Sequence, residues 1–334
     1  MTRPPQHVQP RQGTRGHAVR TLCTEPPHPL RLVPRRPRRG FTLLELAVAL
    51  GIAAILLSIF IPYLLSWRES NRRVRCADHL SQLRAALWAY NETRGRISAA
   101  ESWFPRVRYD AVNQPNGYTA FTGTDDPDPF AENSTVKPND VTASLWLLVR
   151  EGIVTDTSVF VCPSSSDSRD LLVDHAGRTV PARQRGNFRL PQNLSYSYAN
   201  PFGSAPEYRL IDTLPGGFAM LADKSPGTRL GAIDRIKPTD DRLTLATGNS
   251  LNHGQAGQNV LYADGSVRWL TSPFVGLGYT AHQPTAGDNI YTALAATPIE
   301  PGRSPPINGT GVWGREIGPA WNHDSYLVPT ADDR

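Results

Sequence analysis

The longest apolar run of the chain extends over residues 41–65 and contains one charged residue, Glu45. At about 1.5 Å per residue, a helix over this run is about 37 Å long, enough to cross a hydrocarbon core of about 30 Å. Arginines crowd the N-terminal side of the run, and the positive-inside rule places such an end in the cytoplasm. The pattern predicts a single-pass transmembrane helix over 41–66 in the inner membrane, with the rest of the chain outside the cytoplasm.

Beyond residue 66 the pattern becomes that of an amphipathic helix. It predicts a continuation over 67–94 that ends at Gly95 and lies across a sheet. A coiled coil is the less favoured interpretation, because the apolar stripe covers barely two heptads. Pro62 predicts a kink between the two halves. The stripe, at spacings of three and four, consists of Cys76, Leu80, Leu83, Leu87 and Tyr90.

Residues 95–334 have the pattern of one β-rich domain with long irregular loops. The fold class that follows is α+β, with a long N-terminal helix packed on an antiparallel sheet of about four or five strands. The segment 96–140 is expected to be a solvated acidic loop, and 164–190 an exposed polar excursion. Apolar or alternating runs predict a helix over 142–150 and strands over 159–163, 194–198 and 217–223.

The clearest local signal is a β-hairpin at residues 259–270. Asp264-Gly265 separates two apolar runs, and Asp-Gly is a favoured two-residue hairpin turn. Such a turn pairs Tyr262 with Val267 and gives the hairpin one apolar face. Asp264 and Gly265 are therefore predicted to have a structural role.

Charge is distributed unevenly along the chain, whose formal net charge is +5. Residues 1–40 hold nine arginines and one glutamate, so the remainder has a slight negative excess. No basic surface of the kind that binds nucleic acid is expected outside the membrane. Residues 1–39 are rich in Pro, Arg and Gln and lack apolar periodicity, which predicts a disordered leader.

The residues Arg39-Gly40-Phe41-Thr42-Leu43-Leu44-Glu45, preceded by a basic leader, resemble the processing signature of type IV prepilins and type II secretion pseudopilins. The resemblance implies cleavage by prepilin peptidase between Gly40 and Phe41, removal of residues 1–40 and N-methylation of Phe41. It also implies that Glu45 pairs with the N-terminal amine of a neighbouring pilin-like subunit. A carboxylate in lipid is costly alone, and a cationic partner offsets that cost.

A second resemblance lies near the C-terminus, in Asn252-His253-Gly254 followed by residues 257–267. These residues resemble the signature of a large bacterial family of pseudopilin-like proteins with a domain of unassigned function. Shorter segments at 162–165, 221–226 and 288–292 fit the same family. The resemblance implies an assembly or surface protein.

Three cysteines are present. Removal of the leader would discard Cys23 and leave Cys76 and Cys162 in an oxidising compartment, where an even count favours a disulfide between them. Two buried free thiols are the alternative.

No catalytic or metal site is predicted, and no cofactor is expected. His253 is assigned to hydrogen bonding with local backbone, although together with Asp264 it invites a metal or acid–base interpretation. Secretion pseudopilins can hold a structural Ca²⁺ in a C-terminal acidic loop, and Asp288 beside Gly287 is the nearest counterpart. No ligand motif, phosphate-binding loop or nucleophile elbow is found. The other residues that could complete a site are His282, His323 and Asp324.

Two functional hypotheses follow. In the first, the chain is a non-enzymatic prepilin-like subunit that assembles through its N-terminal helix into a pilus or secretion pseudopilus. In the second, it is an extracytoplasmic binding or hydrolytic domain held by a prepilin-type anchor. A concave pocket that contains His253 would favour the second hypothesis.

Overall fold

The computed structural model describes residues 40–93, 103–174, 176–277, 287–300 and 311–333. The predicted leader, Cys23, Gly95 and His282 lie outside these ranges. By its internal contacts the chain divides into two units, one ending at Leu57 and the other extending over Ser58–Arg334. The helices are α1 (Leu43–Thr93), α2 (Val141–Arg150) and α3 (Arg242–Ala246), and the strands are β1 (Tyr196–Ala199), β2 (Ala219–Asp223), β3 (Gln258–Tyr262), β4 (Val267–Leu270) and β5 (Leu327–Val328).

The first unit contains the apolar start of α1. Every side chain from Phe41 to Leu57 is exposed, including large aliphatic residues on all sides of the helix. By length and composition α1 can cross a membrane, as the hydrophobic pattern predicted. A helix that is apolar all round requires an apolar environment, and within the described residues this segment does not bury itself.

In the second unit the amphipathic part of α1 packs on the domain through the predicted stripe. Cys76, Leu80, Leu83 and Leu87 are fully buried and Tyr90 is nearly so, whereas Val74 is exposed. The stripe prediction is therefore confirmed. The chain remains helical on both sides of Pro62.

Five antiparallel strands form one sheet in the order β4-β3-β2-β1-β5, which confirms the predicted α+β class. The central strands β1, β2 and β3 are buried along their whole length. β2 runs antiparallel to both of its neighbours. Its Ala222 lies opposite Ser197 of β1 on one side and opposite Val260 of β3 on the other. Its small and apolar residues therefore fill the middle of the sheet.

The hairpin between β3 and β4 exists, but its predicted register is wrong by one residue. Leu261 pairs with Val267, and the Tyr262 amide donates to the Ser266 carbonyl, so the loop contains three residues instead of two. Gly265 occupies the left-handed region at φ 82°. The Asp264 carboxylate accepts from the Ser266 amide and hydroxyl, which favours a three-residue loop ending in a left-handed glycine.

The strand predicted over 159–163 is also wrong. The chain forms the 3-10 helix Thr157–Phe160, capped by the Asp156 carboxylate, which accepts from the Ser158 amide. A side-chain acceptor at this position offers the backbone an alternative to a ladder, which explains the difference.

The segment 164–190 is only partly the exposed excursion that its polarity predicted, because Asp170 and residues 185–188 are buried. Asp170 and Arg185 are almost completely buried and form a two-pronged ion pair at 2.6 and 2.7 Å. The Arg185 carbonyl accepts from the indole of Trp146 in α2, so the pair fixes this segment against the core. Paired charge allows such a polar sequence to be buried.

We expect Leu83→Ala to reduce the free energy of unfolding by about 2–5 kcal/mol, because it leaves a cavity between α1 and the sheet. Val74→Ala on the exposed side of the same helix should change it by no more than about 0.5 kcal/mol. Urea unfolding of the full chain in detergent measures both. Equal midpoints for the two variants would contradict the packing of α1.

We expect Asp170→Asn to cost about 3–5 kcal/mol, because it leaves Arg185 buried without its counter-charge. Asp174→Asn, which breaks the more exposed pair with Arg178, should cost at most about 1 kcal/mol. Burial disfavours the charged form of Asp170, but hydrogen bonds from Arg185 and the Arg189 amide outweigh it and lower its pKa. The stability difference between the native chain and Asp170→Asn should be full at neutral pH and shrink as the pH falls through that lowered pKa. A pH-independent difference would contradict this assignment.

Candidate functional site

The N-terminus of α1 is closed by a reciprocal cap between Thr42 and Glu45. The Thr42 amide donates to Glu45 Oε2 at 2.9 Å, and the Glu45 amide donates to Thr42 Oγ1 at 3.2 Å. This Thr-x-x-Glu arrangement is a capping box, and it explains why the helix begins at Leu43. The carboxylate therefore lies at the helix end where backbone amides favour negative charge.

Gly40 precedes this cap and is not required by packing. A Cβ built on Gly40 has no atom within 4 Å, and the same is true of Gly51 inside the helix. Packing within the chain therefore does not explain why residue 40 is a glycine, which leaves recognition by another protein as a reason.

A second candidate site lies inside the domain, where four elements bring metal-binding side chains together. Cys76 comes from α1 and Asp223 from the end of β2. Cys162 follows the 3-10 helix Thr157–Phe160, and His253 ends the 3-10 helix Leu251–His253. All four are buried, and one ligand atom from each lies within 4.8 Å of the others. We call these residues the Cys₂-Asp-His cluster.

Direct contacts connect the members of the cluster. The Cys76 thiol donates to Asp223 Oδ1 at 3.0 Å, and Cys162 Sγ lies 3.4 Å from His253 Nε2. The same His253 nitrogen lies 3.3 Å from Asp223 Oδ2. Tyr196 in β1 places its hydroxyl 3.3 Å from Cys76 Sγ. The two thiols, the carboxylate and the imidazole therefore face a common centre.

A second layer of polar groups orients the cluster. Glu69 of α1 places Oε1 2.7 Å from His253 Nδ1, and its other oxygen accepts from the Ser164 hydroxyl. The Asn252 side-chain amide and the Asn259 backbone amide both donate to the Asp223 carboxylate. An ionised carboxylate only accepts, so Glu69 fixes the proton on Nδ1 and leaves Nε2 facing the cluster.

The pKa of each titratable group in the cluster depends on the charges of the other members. Burial raises the pKa of the Cys76 thiol, and its contact with Cys162 and the charge of Asp223 act in the same direction. The hydrogen bond from Cys76 lowers the pKa of Cys162 against the effect of burial. Burial opposes a charged imidazole, but hydrogen bonds to Asp223 and Cys162 outweigh it and raise the pKa of His253 to about 10. Without a metal, an imidazolium compensates the anions.

The predicted disulfide is not confirmed, because Cys76 and Cys162 are both free thiols in this structure. The assignment of His253 to local backbone is also wrong, since its ring contacts Glu69, Asp223 and Cys162. Sequence reasoning missed Glu69 and Asp223. Asp223 offered one signal, a single acid that ends an otherwise apolar strand run.

The other predicted candidates are not part of this cluster. Asp264 lies in the hairpin loop, where its carboxylate also contacts Arg268 at 2.9 Å. Asp288 is buried and accepts from the Ser325 amide. Asp324 forms a side-chain hydrogen bond with Asp288, and its burial raises its pKa to about 7. His323 stacks edge-on against Trp321.

Comparison with known protein families gives a match at the start of α1. Residues 35–61 match the family model described as the prokaryotic N-terminal methylation motif, consistent with a type IV prepilin or pseudopilin-like protein. No curated protein and no solved structure matches the chain.

Proposed function

We propose that this chain is a prepilin-like subunit of a pilus or secretion pseudopilus. In this proposal α1 anchors it in the inner membrane, prepilin peptidase cleaves between Gly40 and Phe41, and Phe41 is N-methylated. The observation that carries the proposal is the methylation motif over residues 35–61, which contains the cleavage site and the start of α1.

The exposure of α1 supplies the physical reason for assembly. Phe41, Leu43 and Leu44 are at least three-quarters exposed, and the apolar surface continues to Leu57. Lipid covers such a surface before assembly, and helices of sister subunits cover it afterwards. The basic residues before the helix support a topology in which its N-terminus is cytoplasmic and the domain from residue 95 lies outside the cytoplasm.

Glu45 supplies register in this proposal. Among the described contacts, the Glu45 carboxylate accepts hydrogen bonds only from the amide and hydroxyl of Thr42. No positively charged group of those contacts balances its charge. Cleavage after Gly40 creates a cationic amine on Phe41, and a neighbouring subunit can present that amine to Glu45. An ion pair at this depth stabilises only the arrangement in which both charges meet.

The alternative, an anchored binding or hydrolytic domain, has less support from the geometry. Its distinguishing feature was a concave pocket at His253. The structure buries the His253 side chain completely between α1 and the sheet, where a substrate would not reach it. That the chain is not an enzyme and does not bind nucleic acid stays a prediction.

We expect Gly40→Leu to block maturation, because a peptidase that accepts glycine at the cleaved bond would meet a bulky side chain there. The structure has open space at Gly40, so the fold should not change. Immunoblots of membranes should show only a band that retains the leader of 40 residues. Gly51→Ala, at an equally open position, should mature normally. Normal maturation of Gly40→Leu would contradict the proposed cleavage site.

We expect Glu45→Ala to leave membrane insertion and cleavage intact but to abolish co-purification with other pilin-like subunits, since the partner charge for Phe41 is lost. Glu92→Ala, at an exposed acid near the other end of α1, is the matched control and should co-purify as the native chain does. Undiminished co-purification of Glu45→Ala would remove the pairing role.

A further inference from the structure

Two thiols, an imidazole and a carboxylate converge in the interior of the domain. Burial of such polar groups is costly unless they are paired or bind a metal. Structural zinc sites are closed, four-coordinate and built from cysteine and histidine, with aspartate as a further ligand type. The Cys₂-Asp-His cluster contains four such ligands, all of them buried. We propose that Cys76, Cys162, Asp223 and His253 bind one structural Zn²⁺ ion.

Several separations between the ligand atoms are close to those around a tetrahedral ion. Bond lengths of about 2.3 Å to sulfur and about 2.0–2.1 Å to nitrogen and oxygen place tetrahedral ligands about 3.3–3.8 Å apart. The observed separations are 3.4 Å for Cys162 Sγ to His253 Nε2 and 3.3 Å for His253 Nε2 to Asp223 Oδ2. Cys76 Sγ and Asp223 Oδ1 are 3.0 Å apart. All four ligand atoms lie within 4.8 Å of one another, so shifts of up to about 1 Å would bring them, with one Asp223 oxygen as the ligand, around an ion.

The groups around the ligands have the arrangement that metal sites require. A histidine that binds metal through one nitrogen usually donates its other N–H to a carboxylate. Glu69 is that carboxylate here, 2.7 Å from His253 Nδ1, and Arg73 and Ser164 hold Glu69 in place. The amide groups of Asn252 and Asn259 orient the Asp223 carboxylate in the same way.

Charge also favours a divalent cation. With both thiols ionised the four ligands carry three negative charges, which burial makes costly. Zn²⁺ neutralises two of them, and its binding releases the thiol protons and the proton on His253 Nε2 to solvent. A nucleophilic cysteine would instead need access to substrate, and Cys162 is fully buried.

The ion would connect parts of the chain that are distant in sequence. It would join α1 to the end of β2 and to the two segments that carry Cys162 and His253. A force applied along α1 would then be transferred to the sheet through coordinate bonds as well as through the apolar stripe. The site therefore suits a subunit that is held in an assembly by this helix, but zinc binding does not depend on that function.

The test uses the full chain purified in detergent without reducing agent, incubated with Zn²⁺ and then freed of loosely bound metal with a weak chelator. Elemental mass spectrometry should find one zinc ion per chain, and replacement by Co²⁺ should give the thiolate charge-transfer absorption of a tetrahedral site. Cys162→Ser and His253→Ala should lose both signals. Cys23→Ser and His79→Ala are the matched controls and should keep them, since His79 contacts the Val161 carbonyl outside the cluster.

A third variant covers the case in which loss of a ligand prevents folding. Glu69→Gln keeps all four ligands but weakens the orientation of His253, so the affinity for Zn²⁺ measured by chelator competition should fall about 10–100-fold. Three results would overturn the proposal. They are a native chain without zinc, a Cys76–Cys162 disulfide in the purified chain, and equal zinc binding by Cys162→Ser, His253→Ala and the controls.

Discussion

The apolar surface at the start of α1 determines the environment that this chain requires. From Phe41 to Leu57 every side chain is exposed, and most of them are large and apolar. The hydrophobic effect makes such a surface unstable in water, at roughly 25 cal/mol for each Å² of apolar area left uncovered. A membrane would cover this surface, and in the proposed assembly the helices of neighbouring subunits would replace the lipid. The Thr42–Glu45 cap lies at the N-terminus of the same segment. Its hydrogen bonds accommodate a carboxylate in the first turn of an otherwise apolar helix.

The domain is built to hold the second part of α1. Leu80, Leu83 and Leu87 pack into the core, and Cys76 reaches the strands β1 and β2 through Tyr196 and Asp223. Glu69 and Arg73 extend the same side of the helix toward His253 and Trp269. Apolar packing fixes the position of the helix, and the polar contacts fix its rotation.

The parts of the fold that could be predicted from the sequence are those with a local cause. Periodicity of 3.6 predicted the stripe on α1, and short apolar or alternating runs predicted the central strands. The hairpin register could not be predicted from Asp264-Gly265, because the Asp264 side chain selects a longer loop through its bonds to Ser266. The polarity of 164–190 predicted its exposed residues but not the burial of Arg185 against Asp170, a partner that only the folded chain brings close.

The two candidate sites also differ in whether their residues are close together in the sequence. The processing motif is contiguous, so residues 39–45 suffice to recognise it. The Cys₂-Asp-His cluster is assembled from one helix, one strand end and two short 3-10 segments, and no spacing between its members indicates a ligand set. Counting cysteines in an oxidising compartment led to a disulfide, because that argument takes no account of an acid and an imidazole beside the thiols.

The most direct test of the central claim is the mass of the N-terminal peptide from the protein isolated from the membranes of its native host. The expected mass is that of a chain that begins at Phe41 and carries one added methyl group on its amine. A chain that retains residues 1–40, with no shortened species present, would contradict that claim.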